Sequence, residues 1–115
     1  MKFSEETLGV VKVFHLEGKV MGGAELQMIC DYLDKLVAAG TRFLVLDFDK
    51  LQWINSNGIG IVIAWLTSLR KSGGDLCFAK VHGAAKHYFE ITRLDTVVKV
   101  FDTIEEAVAS FPMTK

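Results

Sequence analysis

The residues with the most chemistry to offer are Asn55-Ser56-Asn57-Gly58-Ile59-Gly60. Ser56 stands just ahead of an expected helix over Ile59 to Leu69. A hydroxyl there has two uses. It can cap the helix by accepting a hydrogen bond from a free backbone N–H. It can also accept a phosphoryl group, which adds a charge of about -1.5 to -2. The positive end of a helix and its unpaired N–H groups tolerate such a charge. Residue types alone leave both uses open. Gly58 and Gly60 are equally two-sided: without side chains they admit a second backbone, or they permit close packing of the helix within the domain.

Other chemistries find less support. Gly58-Ile59-Gly60 begins like a dinucleotide fingerprint, but Ile63 occupies the third glycine position, and no phosphate-binding G-x-x-x-x-G-K-S/T loop is present. A serine-hydrolase elbow would need a glycine two residues before Ser56, where Ile54 stands. His15, His82 and His87 form no helix-face pair four residues apart and have no carboxylate cluster beside them, so neither a metal site nor a cofactor is expected. Cys30 and Cys77 lie among apolar neighbours, outside any C-x-x-C pattern, and read as buried thiols.

The elements that must position Ser56 follow from periodicity. Leu8 to Leu16 has a β-rich, partly alternating composition, with Phe3 to Thr7 as a short partner strand. Beyond Gly22-Gly23, Leu26, Ile29, Leu33 and Val37 recur at helical spacing until Gly40. Phe43 to Leu46 is a continuous apolar run ending at Asp47, as in a central strand covered on both faces. A link carrying Leu51 and Trp53 leads to Ser56. Arg70-Lys71-Ser72-Gly73-Gly74 then places cations and glycines where a helix ends. Leu76 to Val81 is the next expected strand, Ala84 to Ile91 a short helix, and Val97 to Phe101 the last strand. Thr103-Ile104-Glu105-Glu106 fits a capping box; Ile104, Ala107, Val108 and Phe111 lie at core-facing spacing, and Pro112 stops that final helix. Trp53, Trp65, Phe89 and Phe111 are expected in the core or half-buried, not as stacking platforms for bases. The alternation predicts an α/β fold: a mixed sheet of four or five strands packed with about four helices, in one domain over residues 1–115.

Composition narrows the partners. Thirteen Lys and Arg against fourteen Asp and Glu give a net charge of -1, so neither nucleic acid nor an anionic membrane is expected to bind. The longest apolar stretch, Ile59 to Leu66, is far shorter than the ~20 residues of a membrane span. The first residues turn acidic at once and lack a secretory pattern, which makes the cytoplasm the expected location.

The centre and end of the chain resemble the STAS domain family, of the anti-sigma factor antagonist type. The resemblance rests on Phe43 to Leu46 followed by Asp47, and on Asn55-Ser56-Asn57-Gly58-Ile59-Gly60, where the family typically reads Asp-Ser-Ser/Thr/Ala-Gly-Leu-Gly. Thr92-Arg93-Leu94-Asp95 and Phe101-Asp102-Thr103-Ile104-Glu105-Glu106-Ala107 add to it. It implies a bacterial partner-switching protein, not an enzyme. The unmodified form would bind an anti-sigma factor that is also a serine kinase, phosphorylation of Ser56 would release that partner, and a phosphatase would reset the switch. The implied partner face comprises Met21, Asn55, Ser56, Asn57, Gly58, Ile59, Gly60 and Ile63. Two features depart from the family. Asn55 replaces the usual Asp, removing a carboxylate beside the hydroxyl, and Lys19-Val20-Met21 stands where Glu-Leu-Asp is common. Two other readings remain: a STAS docking module that is never phosphorylated, and a small-ligand or nucleotide-binding domain that uses Ser56 to Gly60 as an anion cradle.

Overall fold

Strand β1 (Lys2–Leu8) and strand β2 (Val11–Val20) form an antiparallel hairpin joined at Thr7↔Lys12 and Leu8↔Val11. The computed structural model describes residues 2–20 and 23–111. Helix α1 (Ala24–Ala38) buries Leu26, Ile29 and Leu33, members of the apolar stripe expected from their spacing. Strand β3 (Phe43–Asp47) runs parallel to β2 and sits at the centre of the sheet, between β2 and β5 (Asp75–Ala79). Strand β6 (Val100–Phe101) pairs parallel with β5.

Alternation along the central strands divides the core in two. Phe14, Leu16, Leu44, Leu46, Leu76 and Phe78 face one side, under α1, α2 (Ser56–Lys71) and α3 (Gly83–Thr92). Val11, Val13, Val45 and Cys77 face the other, where Ala107 and Phe111 at the end of the chain pack on them. Burial on both faces explains the unbroken apolar run of β3. Helix α4 (Ile104–Ala109) opens with one half of the expected box, the Glu106 N–H donating to Thr103 Oγ1 at 3.0 Å, while Glu106 Oε1 accepts from the Thr103 hydroxyl at 3.3 Å. Pro112, expected to stop this helix, lies outside the described residues.

Three elements differ from expectation. The link holding Leu51 and Trp53 is itself a strand, β4 (Leu51–Ile54), which pairs parallel with residues 18–20 of β2 and raises the sheet to six strands. Leu51 and Ile54 are buried while Gln52 and Trp53 are exposed, so no simple alternation marks the strand; a register shift between Gly18 and Lys19 accompanies it. The last strand keeps only two residues of the expected five: Arg93 turns left-handed (φ 61°), Leu94–Thr96 winds into a 3-10 turn, and the Val97 and Val98 N–H groups both donate back to the Leu94 carbonyl at 3.0 Å. The third difference, at the start of α2, bears on Ser56 directly.

Candidate functional site

β4 delivers the chain to the start of α2. The Asn55 N–H donates to the Val20 carbonyl at 3.1 Å, which ties the entry of the helix to the end of β2. Asn55, in extended backbone, is the N-cap residue: its Oδ1 accepts the Gly58 N–H at 2.9 Å, and its carbonyl accepts the Ile59 N–H at 2.9 Å. The capping role considered for Ser56 therefore belongs to its neighbour. Ser56 is the first helical residue and is exposed, as is Asn57. With the cap supplied by an amide, the serine hydroxyl is not needed to close the helix.

The two glycines of the motif separate into different jobs. A Cβ on Gly58 would lie 2.9 Å from the Val20 carbonyl oxygen and 2.9 Å from Ile54 Cγ1, so this glycine lets the first turn press against β2 and β4. A Cβ on Gly60 would meet nothing within 4 Å, and the residue faces solvent. Of the pair, only Gly60 leaves outer surface open next to Ser56.

Ile59 is 8 % exposed and Leu66 3 %, and Ile63 is half-buried against the core. Most apolar positions along α2 are covered, chiefly by α1 and β5, while Ile61 and Ile63 stay half-buried. The Trp65 Nε1–H donates to Cys30 Sγ at 3.0 Å across the α1–α2 contact. Ile59 thus offers a partner almost no side-chain surface and supports the site from beneath. Met21 lies outside the described residues.

Sequence reasoning missed the surface beside this turn. Trp53 keeps 45 % of its surface exposed, whereas Trp65, Phe89 and Phe111 enter the core. It pairs with Lys19 across β2 and β4, and Lys19 is also exposed. The short separation of Trp53 from Ser56 was the available signal, but reading the segment as a link hid it.

Of the two cysteines expected to be buried, Cys77 is buried and Cys30 only half-buried. Burial pushes the Cys77 thiol up to about 12 against a weaker opposing hydrogen bond from Ser110, and burial likewise raises Cys30. Among the described residues no group of three or more His, Cys, Asp or Glu is placed to hold a metal ion, and no helix is long and apolar enough to cross a membrane.

The chain thus folds as a six-stranded mixed sheet with helices on both faces, and an exposed serine opens the helix after β4. The family model for the STAS domain matches residues 3–107, and the chain belongs to that family. A Bordetella bronchiseptica protein, BtrV, provisionally named an anti-sigma factor antagonist, is 27% identical over 111 residues, covering 96% of this chain and 95% of that protein. A Thermotoga maritima protein with the same provisional name is 28% identical over 74 residues; the match takes in 64% of this chain and 66% of the relative. Among solved structures, a Thermotoga maritima protein so named superposes with a TM-score of 0.85 at 21% identity, over 94% of this chain and 92% of that one. The Bacillus cell fate determinant SpoIIAA in its phosphorylated form gives a TM-score of 0.75 at 20% identity, over 95% of this chain and 98% of that one.

Proposed function

We propose that this STAS domain is an anti-sigma factor antagonist that binds an anti-sigma factor with serine kinase activity and is released when Ser56 is phosphorylated. The observation that carries this reading is the exposed Ser56 side chain at the first position of α2, freed from capping by Asn55. A phosphate there meets the positive end of the helix, so the free protein accommodates it without rearrangement. Under a bound partner the same charge must be desolvated, which costs several kcal/mol unless matched. The provisional names of the two relatives point the same way, and SpoIIAA is a neighbour in fold that takes a phosphorylated form.

The partner face on this reading is Asn55, Ser56, Asn57 and Gly60, with Gly58, Ile59 and Ile63 shaping it from within, and Met21 completing it. Trp53 extends it, since aromatic residues are enriched at interfaces, and Lys19, paired with Trp53 across β2 and β4, borders it. The protein acts in the cytoplasm as a binding module rather than a catalyst, and a phosphatase resets it.

The test is incubation with ATP and serine kinases of the anti-sigma type, with the modification mapped by mass spectrometry. Phosphate on Ser56, abolished by Ser56→Ala, is the expected result. One alternative has a specific observation behind it. Asn55 keeps the cap geometry without a charge, as a docking module that has lost phosphorylation would. If kinases bind the chain but none modifies Ser56, that alternative stands and the switch falls.

A further inference from the structure

By the alternation of β2 and β3, His15 lies with Asp47 on the face of the sheet away from α2, and nothing in the proposed switch at Ser56 uses it. The residue lies on β2, directly across from Ser4 of β1 and Asp47 of β3. Its Nδ1 is 2.6 Å from Asp47 Oδ2, and its Nε2 is 2.8 Å from Glu6 Oε1. Both ring nitrogens therefore face carboxylates, a geometry in which only the imidazolium can donate to both. The two partners are unequal. The Asp47 side chain is 11% exposed, and its other oxygen accepts the Asp49 N–H at 3.0 Å, holding the turn that leads to β4. The Glu6 side chain is 46% exposed on the sheet's edge strand.

We propose that His15 is a proton-operated clasp on β1: protonated, it bridges Asp47 and Glu6; deprotonated, it keeps Asp47 and releases Glu6. The proton that leaves is the one on Nε2, and it passes to solvent. Neutral imidazole retains one N–H. Asp47, the more buried carboxylate, has more to lose from an unmatched charge and holds that N–H on Nδ1. The bare Nε2 lone pair then faces the Glu6 carboxylate, acceptor against acceptor, and Glu6 has solvent into which to swing.

Other charged groups near the ring do not replace either partner. Glu17 of β2 and Asp49 and Lys50 of the β3–β4 turn line the same polar hollow as His15, together with Ser4 and Asp47. Burial lowers the His15 pKa, but the hydrogen bonds to Asp47 and Glu6 and their charges outweigh it, leaving it raised above 6.5. A raised folded-state value means that the stabilisation is complete below the unfolded value and is lost as pH rises through the folded one. The clasp therefore opens on the alkaline side of 6.5.

The test is a pH titration of the full chain by NMR, reading the His15 ring nitrogens and the β1 amides, for wild type and Glu6→Gln. In wild type the neutral ring should carry its proton on Nδ1, and β1 amide shifts should move with the His15 midpoint. In Glu6→Gln the midpoint should shift down. The glutamine amide can donate to the bare Nε2, so the loss of thermal stability across that pH range should shrink. A neutral ring protonated on Nε2 would overturn the proposal, as would stability profiles of wild type and Glu6→Gln that run parallel. The tautomer in wild type decides the matter without any variant.

Discussion

At the scale of single residues, the two glycines of the Ser56 turn make opposite predictions from nearly the same sequence. Gly58→Ala puts a methyl group 2.9 Å from the Val20 carbonyl oxygen, a backbone atom that already accepts the Asn55 N–H. That oxygen cannot yield without moving β2. Overpacking of this kind costs about 1–3 kcal/mol. Gly60→Ala meets open space inside a helix, where alanine is favoured over glycine by about 0.5–1 kcal/mol. Urea denaturation of the two variants should thus move the midpoint in opposite directions, and a shift of the same sign in both would contradict the packing described for α2. The cysteines give a second prediction at this scale. Cys77 is 2% exposed and its thiol is pushed up to about 12, so at pH 8 it should resist a thiol-labelling reagent until the protein unfolds. Rapid labelling of Cys77 in the native protein, followed by peptide mapping, would show the strands beneath α4 to be open.

At the scale of elements, the entry to α2 shows what a sequence reveals and what it conceals. Asn55→Ala should cost about 1 kcal/mol, since the side-chain bond to the Gly58 N–H is lost at a helix N-cap. Asn55→Asp keeps that bond and adds a negative charge at the positive end of the helix, a gain of about 0.3–1 kcal/mol. Thermal unfolding near neutral pH should therefore rank Asp at or above Asn and both above Ala; equal stability of all three would remove Asn55 from the capping role. In phosphorylation by a kinase that accepts the chain, Asn55→Asp restores the residue usual in the family and should proceed faster than wild type, and an unchanged rate would count against a role for that carboxylate. Helices α1, α2 and α4 were legible because apolar spacing, closing cations and the Thr103 box are local signals. The central strand was legible because burial on two faces leaves a continuous apolar run. β4 was not, because it is four residues long, lacks alternation and owes its pairing to the far end of β2. The shortening of β6 was equally hidden, since the left-handed turn at Arg93 involves a residue that carries no glycine-like signal. The same limit applied to the cap: both Asn55 and Ser56 are good capping residues, and only the register of the first turn chooses between them.

At the scale of the whole molecule, the proposed switch requires that the cost of phosphate fall in different places for the free and the bound protein. The fold closes the α2 turn with Asn55 and Gly58, so among the described residues the cap of α2 does not draw on the Ser56 hydroxyl. Ser56→Asp, an imperfect imitation of phosphate, should leave the thermal midpoint close to that of wild type, with any change in the stabilising direction because the new charge sits at a helix start. The complex has no such freedom. A partner lying on Ser56, Asn57 and Gly60 must strip water from the added charge, and a loss of only about 1.4 kcal/mol already lowers affinity tenfold. Calorimetric titration against the kinase that modifies the chain should show at least that tenfold loss for Ser56→Asp, and near-native affinity for Ser56→Ala. Ser56→Ala should also stay bound when ATP is added, whereas the wild-type complex should come apart. If Ser56→Asp binds as tightly as wild type while the phosphorylated protein does not, the geometry of the phosphate rather than its charge governs release. If the phosphorylated protein itself binds as tightly, the α2 turn is not the partner's footprint, and the exposed Trp53 and Lys19 beside it become the first surface to test by substitution.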